Sequence, residues 1–549
     1  MLKGSGAAHL SPFCAIVRHK GFKGLRLPVG QHWGTQGSTF RGSWLLAPDG
    51  VRRLEEPTGG RAGLIKGTFM HQGVVSMTRS KARPRGQWIT APRVLFALAL
   101  SSWMLSQARA DGTGWRTDGS GRYPKAEPPL EWSASKNVVW KTAMPGYGVS
   151  HPVPLGERIF TCSEPATLLC LHRTDGRILW QRSSGYSELE IEPEVRERLK
   201  VELAEVAELG KKQSAVQKEM DALHRSLLKE QATTQEIDLK TKPFRTQIDE
   251  LGKQKLGFPV AQRYTQPSQH STAGYSAPTP VTDGKNVFVA FGNGLVASYD
   301  LEGNRQWLKL IEHTNLTFAH SGSPILVGGR LVIHFTDLVA LDPKSGGEVW
   351  RLKLPAGWGT PLGTRIGEVD VLVTPKGALV RAQDGKLLAD RLGSCGANSP
   401  VLHKDIVYFE HGAVTAVRLP AMFAEPLKPE IVWKGKVKGG GYGFCSPVVH
   451  DGLLYTASDQ GILTVLDAAT GTLAYEERLN LAGQIYPSLS LGGQRLYASS
   501  DAGATVILEA GREYKELARN KLEGFRSSLV FEEKRVYVRT EKSLYCIGE

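Results

Sequence analysis

The residues best suited to chemistry in this chain are aromatic and histidine side chains set among glycines in short loops. They occur in Gly146-Tyr147-Gly148-Val149-Ser150-His151, His270 to Tyr275, Phe318-Ala319-His320-Ser321-Gly322, Gly357-Trp358-Gly359, Gly440 to Phe444 and Gln484-Ile485-Tyr486. Gathered at one mouth of a ring, Tyr147, His151, His270, Tyr275, His320, Trp358, Tyr442, Phe444 and Tyr486 would line a funnel. Aromatic walls with a few polar groups suit a small molecule or a peptide. The same residues also fit a second reading, in which the glycines permit close packing at a narrow inner ring and the aromatics plug it.

Other chemistry finds little footing. His151, His270, His313 and His320 come from separate loops without ligand spacing, so no metal site is expected. No G-x-S-x-G, H-E-x-x-H or P-loop pattern occurs, and no catalytic residue is assigned. Five of the six cysteines (Cys162, Cys170, Cys395, Cys445, Cys546) follow residue 110, an odd number without C-x-x-C spacing. Cys162 and Cys170 flank the turn Ser-Glu-Pro-Ala-Thr. They could face each other across a hairpin and be joined in an oxidising compartment, or stand as buried thiols in neighbouring strands.

The elements that must position these loops repeat with a period of roughly 40 residues. Residues 276–307, 321–350, 446–475 and 150–180 each open on Ser-Pro or Pro-Val. Each continues through a Gly turn, a short β-branched or aromatic strand and a second turn, then a strand ending near Asp, and finally Gly with an aromatic four positions later. Four short strands with frequent turns describe antiparallel blades, and a ring of blades covers both faces of each small sheet. The recurring Trp140, Trp180, Trp307, Trp350, Trp433 and Tyr475 then have a structural task, wedged between neighbouring blades. Starts at Pro152, Pro278, Pro324, Pro361, Pro400, Pro447, Pro487 and Ser528 give eight blades. Seven is the alternative, because the repeats from Thr360 and Pro487 are eroded. The last blade stops after its third strand, and Val138-Val139-Trp140-Lys141 would supply the fourth.

The Asp342/Gly346/Trp350 and Asp467/Gly471/Tyr475 ends resemble the tryptophan-docking repeats of pyrroloquinoline-quinone-like (PQQ-like) propellers. That group includes quinoprotein alcohol dehydrogenases and non-catalytic outer-membrane assembly lipoproteins. Trp115 to Gly121, followed by Trp132 and Asn137 to Lys141, is similar to the opening of secreted PQQ-like proteins of unassigned function. The resemblance covers nearly all of residues 115–549 except one insert. It implies an all-β, eight-bladed β-propeller, and it implies activity poorly. The dehydrogenases carry adjacent cysteines over the cofactor, a calcium-binding carboxylate/amide set and a catalytic Asp. This chain has no Cys-Cys pair and no matching calcium ligands or base, so no cofactor is expected, PQQ with calcium being the minor alternative.

The insert, residues 188–256, changes composition to Glu, Lys, Gln, Ala and Leu. Leu199, Leu203, Val206, Leu209, Val216, Met220, Leu223 and Leu227 keep helical spacing. A second arm carries Ile237, Phe244, Ile248 and Leu251, with Pro243 bending or delaying it. An α-helical coiled-coil hairpin is expected, its seam weakened by Gly210, Gln213 and Gln217. Residues 111–187 would then hold the N-terminal segment, the ring-closing strand and the first blade, and residues 257–549 the remaining blades.

Residues 77–110 have the order of a secretory signal: a basic start, the apolar run Val94–Leu105, then Ala108-Arg109-Ala110. Residues 1–76 read as a mis-assigned start or a disordered extension. They carry 10 basic and 3 acidic side chains, and residues 77–110 carry 6 basic and none acidic. Subtracting these +7 and +6 from the chain's +14 leaves about +1, so nucleic acid is not an expected partner. The expectation is an exported, periplasmic or extracellular protein without a transmembrane span after residue 110. It would be a non-catalytic scaffold that binds an envelope protein or small ligand. A PQQ-dependent or cryptic oxidoreductase and a carbohydrate- or peptide-binding module are the alternatives.

Overall fold

The computed structural model describes residues 112–269, 273–314, 320–439 and 441–549. The export segment, residues 1–76 and His270 lie outside the described residues. Eight small sheets, each with an antiparallel four-stranded core, succeed one another along the chain, so the count is eight and not seven. The first blade is Val153–Leu155, Arg158–Ser163, Thr167–His172 and Ile178–Ser183. The eroded repeat from Thr360 still makes a full blade, from Leu362–Ile366 to Leu387–Ala389.

Burial follows from stacking. The two middle strands of a blade are covered on both faces, so they are buried almost continuously, as in RIFTCS and NVFVA. Outer strands have one dry face only, and Val138–Ala143 alternates accordingly. Val138–Ala143 pairs antiparallel with Ser543–Ile547, closing the last blade with a strand from the start of the described chain. Arg122–Tyr123 adds a parallel fifth strand to the inner edge of blade 7, beside Leu491 and Gly492.

Five tryptophans dock from one blade onto the next in one geometry. The indole Nε1 of Trp140, Trp180, Trp307, Trp350 and Trp433 donates to the carbonyl of Arg173, Leu301, Pro343, Ala382 and Ala468, at 2.9–3.1 Å. Each ring lies against a turn glycine of the next blade. At Gly346 (φ +68°), a Cβ would sit 2.6 Å from the Trp307 ring, so glycine serves both the left-handed turn and the contact. Tyr475 departs from the pattern: it meets Tyr514 edge-on at 6.4 Å, and its hydroxyl is buried without a partner.

Two blade starts need correction. The inner strand of blade 2 follows Thr279-Pro280 rather than Pro278, and that of blade 7 follows Ser488-Leu489 rather than Pro487, each two residues later than the repeat suggested. Cys162 stands opposite Leu168 and Cys170 opposite Phe160, so the register sets the two sulfurs on offset rungs. Both are free thiols, pushed up to about 12 by burial.

The insert forms helices Pro193–Lys229 and Thr234–Lys255, with a short third helix Pro259–Tyr264. The less exposed face of the first runs Leu199, Glu202, Val206, Leu209, Gln213, Val216, Met220, Leu223 and Leu227, alternating steps of three and four. Glu202 takes the place expected for Leu203, which is 40% exposed. Its carboxylate accepts from the amides of Val260 and Ala261 and so caps the third helix. Gln213 bridges to Ile248 O and Lys255 Nζ, so a seam polar residue is used as a tie. The second helix starts at the Thr233/Glu236 capping box and runs through Pro243, which does not delay it. No helix among the described residues is long and apolar enough to cross a membrane.

Candidate functional site

Each blade contributes one residue to a hydrogen-bond ring around the channel, just before its inner strand. The backbone amide of His151 donates to Thr279 Oγ1, Thr279 to Ser323 Oγ, Ser323 to Thr360 Oγ1 and Thr360 to Ser399 Oγ. Ser399 donates to Ser446, Ser446 to Ser488 and Ser488 to Ser528, and the Ser528 amide returns to His151 Nε2 at 3.2 Å. The chemistry explains the residue types. A buried amide on an inner edge has no strand to pair with, and a short hydroxyl from the next blade satisfies it. The proline after most ring residues removes the next edge donor.

Accepting from Ser528 requires an unprotonated Nε2. Burial, with the nearby Arg116 charge, lowers the His151 pKa to about 3, so the imidazole is neutral. His151 is thus a structural acceptor and not a free base.

Above this floor lies a cavity of about 320 Å³. All eight ring residues line it, as do the residues two positions earlier: Val149, Ala277, Ser321, Trp358, Ala397, Phe444, Tyr486 and Arg526. One arc of the wall is small and the other is aromatic. Tyr442 stacks on Phe444 (5.7 Å), Phe444 on Tyr486 (4.0 Å), and the Arg526 guanidinium covers Tyr486 at 4.5 Å. Arg526 is the only lining residue with a permanent charge among those described.

The channel is closed below the ring by residues that the loop pattern does not include. Thr113 pairs with Thr282 of blade 2 and Arg122–Tyr123 with blade 7, so the intervening segment crosses the channel. Arg116 and Thr117 hold left-handed backbone (φ 50° and 66°), which turns Trp115 and Arg116 inward. Trp115 lines the cavity 6.1 Å from the His151 ring, with Arg116 stacked on it at 5.2 Å. Arg116 is fully buried, donates to Leu489 O (2.6 Å) and Pro447 O (3.1 Å), and is lowered by burial to about 10, still protonated at neutral pH.

The structure therefore brings together His151, Trp358, Tyr442, Phe444 and Tyr486 around one open cavity. Tyr147, Tyr275 and His320 do not line it. Tyr147 lies beside the cavity, half-buried near Arg526. Tyr275 is core, its hydroxyl bonded to Pro267 O and its amide to Glu164. His320 packs against Phe335 at 5.0 Å and is lowered to about 4 by burial. Their loops turn these side chains into blade junctions, where aromatic volume is also needed. The hydroxyl floor was in view as the repeated Ser-Pro and Thr-Pro pairs, but its signal is the residue before the proline.

These features define an eight-bladed propeller with a blind channel pocket. Residues 261–419 match the family model described as outer membrane protein assembly factor BamB. No curated protein matches the sequence. Among solved structures the chain is similar to BamB from Moraxella catarrhalis, at 11% identity over 74% of this chain and 96% of that one, with a TM-score of 0.44. It is also similar to a europium-containing methanol dehydrogenase (10% identity, 82% and 100% covered, TM-score 0.46) and to quinohemoprotein alcohol dehydrogenase from Comamonas testosteroni (10%, 81% and 82%, 0.46). Likeness at this level extends to the fold alone. The chain is an eight-bladed propeller, of which residues 261–419 resemble PQQ-like repeats.

Proposed function

We propose that this is a non-catalytic binding propeller of the cell envelope that holds a small, flat, anionic ligand in its channel pocket. The observation that carries this reading is the Tyr442/Phe444/Tyr486/Arg526 stack standing over a hydroxyl floor. A flat ring gains area and stacking on the aromatic arc, Arg526 supplies a charge-assisted bond to an anion, and the ring hydroxyls, whose lone pairs serve the neighbouring amides, keep their O–H groups for ligand acceptors. The one titratable group in the floor, His151, spends its lone pair on Ser528 and is not offered as a general base. Export after the basic and apolar segment at 77–110 would put the pocket in the envelope, in keeping with the description of the matched family model.

The test uses the full chain with PQQ, a flat polycarboxylate, as the probe, and follows tryptophan fluorescence, since Trp115 and Trp358 line the pocket. Saturable quenching without dye-linked alcohol oxidation is expected. Arg526→Gln should weaken binding roughly 10- to 100-fold, the worth of one charge-assisted bond. Turnover would replace this reading with the oxidoreductase one, and an unquenched, folded protein would leave protein contact as the better account.

A further inference from the structure

A second polar site lies off the channel, between blades 5 and 6. Glu410 ends the second strand of blade 5, and Asp459 follows the second strand of blade 6, with Thr464 on the strand after it. All three are buried (5%, 5% and 1% exposed) and line a chamber of about 10 Å³, the size of one water or one ion. The Glu410 carboxylate accepts from the Gly412 amide at 3.0 Å and from Asn398 Nδ2 at 2.6 Å, both neutral donors. Among the described residues, Asp459 Oδ1 and Thr464 Oγ1 are buried without a hydrogen-bond partner. Lys438, the one basic residue on the chamber wall, is committed to Glu476 at 2.7 Å.

Blade 7 shows what this turn does when its carboxylate has protein partners, the Arg526 guanidinium lying 4.0 Å from Asp501 Oδ2. Ser500-Asp501-Ala502-Gly503 repeats Ser458-Asp459-Gln460-Gly461, and the Asp501 carboxylate accepts from the Gln484 amide at 2.9 Å in the loop before its own inner strand. In both blades a glycine of that loop lies on the carboxylate. A Cβ at Gly483 would come within 2.4 Å of Asp501 Oδ1, and one at Gly441 within 2.1 Å of Asp459 Oδ1. Among the described residues only blade 7 makes the amide bond, while Asp459 of blade 6 shares its chamber with the Glu410 carboxylate of blade 5.

Two buried carboxylates, a buried hydroxyl oxygen with no donor and no cation left to pair with them make an arrangement that folding alone does not favour. Burial, aided by the Asp459 charge, already raises the pKa of Glu410. We propose that Glu410, Asp459 and Thr464 form a binding site for a hard divalent cation of the calcium type, which takes carboxylate, hydroxyl and carbonyl oxygens. The ion would tie blade 5 to the Gly441–Cys445 loop, whose Tyr442 and Gly443 carbonyls already accept from the Ala397 amide. That loop carries Tyr442 and Phe444 into the channel pocket, so the cation would stiffen the pocket wall, whatever the pocket binds.

The experiment is calcium binding to the full chain, stripped with chelator and examined by isothermal titration and thermal unfolding, with calcium alone as the probe. One equivalent bound, a higher Tm with calcium than with chelator, and loss of both effects in Asp459→Asn and in Thr464→Val are expected. Asp459→Asn is isosteric, and Thr464→Val tests the same chamber without touching a charge. No calcium uptake by the wild type at millimolar concentration would overturn the proposal, leaving the chamber to water. Uptake unchanged in both variants would place the ion elsewhere and overturn it equally. Neither outcome depends on the fluorescence titration of the channel pocket.

Discussion

Replacing His151 with serine gives blade 1 the ring residue used by five other blades and removes the ring's one titratable member. An unfolded histidine has a pKa near 6.5, and His151 in the fold is at about 3. Between these values the unfolded chain holds a proton that the folded chain refuses, so stability rises with pH across the window and falls on acidification. At pH 5, protonation of the unfolded side chain is worth RT ln(1 + 10^1.5), about 2 kcal/mol. His320 and His334, both lowered to about 4 by burial, lose stability in the same direction and remain in the variant. At pH 7 His151→Ser should be less stable by about 1–3 kcal/mol, because serine is too short to reach the Ser528 amide and leaves it buried and unpaired. At pH 5 that gap should shrink by about 2 kcal/mol. Denaturant unfolding of both proteins at the two pH values measures it, with carboxylate titrations common to both cancelling in the difference. A gap that does not change between pH 7 and pH 5 would show that the imidazole is not held neutral, and the closed ring would have to be abandoned.

Trp307→Ala should cost roughly 3–5 kcal/mol, as a large ring leaves an inter-blade gap. Gly346→Ala should cost at least about 1–2 kcal/mol from its left-handed backbone, plus the clash with Trp307. In a Trp307→Ala background the clash is gone, so thermal unfolding of the double mutant should show a smaller second loss. Thr360→Val keeps side-chain volume but takes the acceptor from the buried Ser323 amide, with an expected cost of about 1–3 kcal/mol. Faster hydrogen exchange should appear first at Ser323.

The blades were legible because their signal is periodic. Apolar middle strands recur in all eight blades and an outer-strand aromatic in six, and even the degenerate blades keep enough of the pattern. Closure was legible for a related reason: an incomplete last blade demands a strand, and Val138–Ala143 has the apolar content to supply it. The site was legible only as a set of loops. Trp358, Phe444 and Tyr486 stand two positions before the ring residue and reach the cavity, but four positions before it the outcome differs by blade: Tyr442 lines the cavity and Tyr275 turns into the core. The plug escaped notice because Trp115 and Arg116 belong to no repeat, and their inward turn rests on two left-handed residues that the sequence does not mark. The same is true of Glu202, an acidic side chain in a seam, whose partners are amides of a helix that composition alone hides.

Closure also explains why the one odd member of the ring is where it is. Seven junctions join blades consecutive in sequence, and short hydroxyls span all seven. The junction from blade 8 to blade 1 joins the two extremities of the ring, and there the acceptor is the longer imidazole. The same seam carries Trp140 docked on Gly176, the Val138–Ala143 strand, and the fully buried Arg539, which donates to Gly146 O (3.0 Å) and Ser163 Oγ (3.1 Å). Gly148 is required there, because a Cβ would come within 2.6 Å of that guanidinium. These groups are longer and more costly to bury than the hydroxyls elsewhere, and they act beside the blade whose fourth strand comes from a distant part of the chain and is held to it by pairing alone. His151 stands at this seam with Trp115 packed 6.1 Å from it, and Arg116 on Trp115 reaches across to blades 6 and 7, so the contacts that close the ring adjoin the bottom of the pocket. Loosening the closure should therefore open the pocket floor before it disturbs the blades.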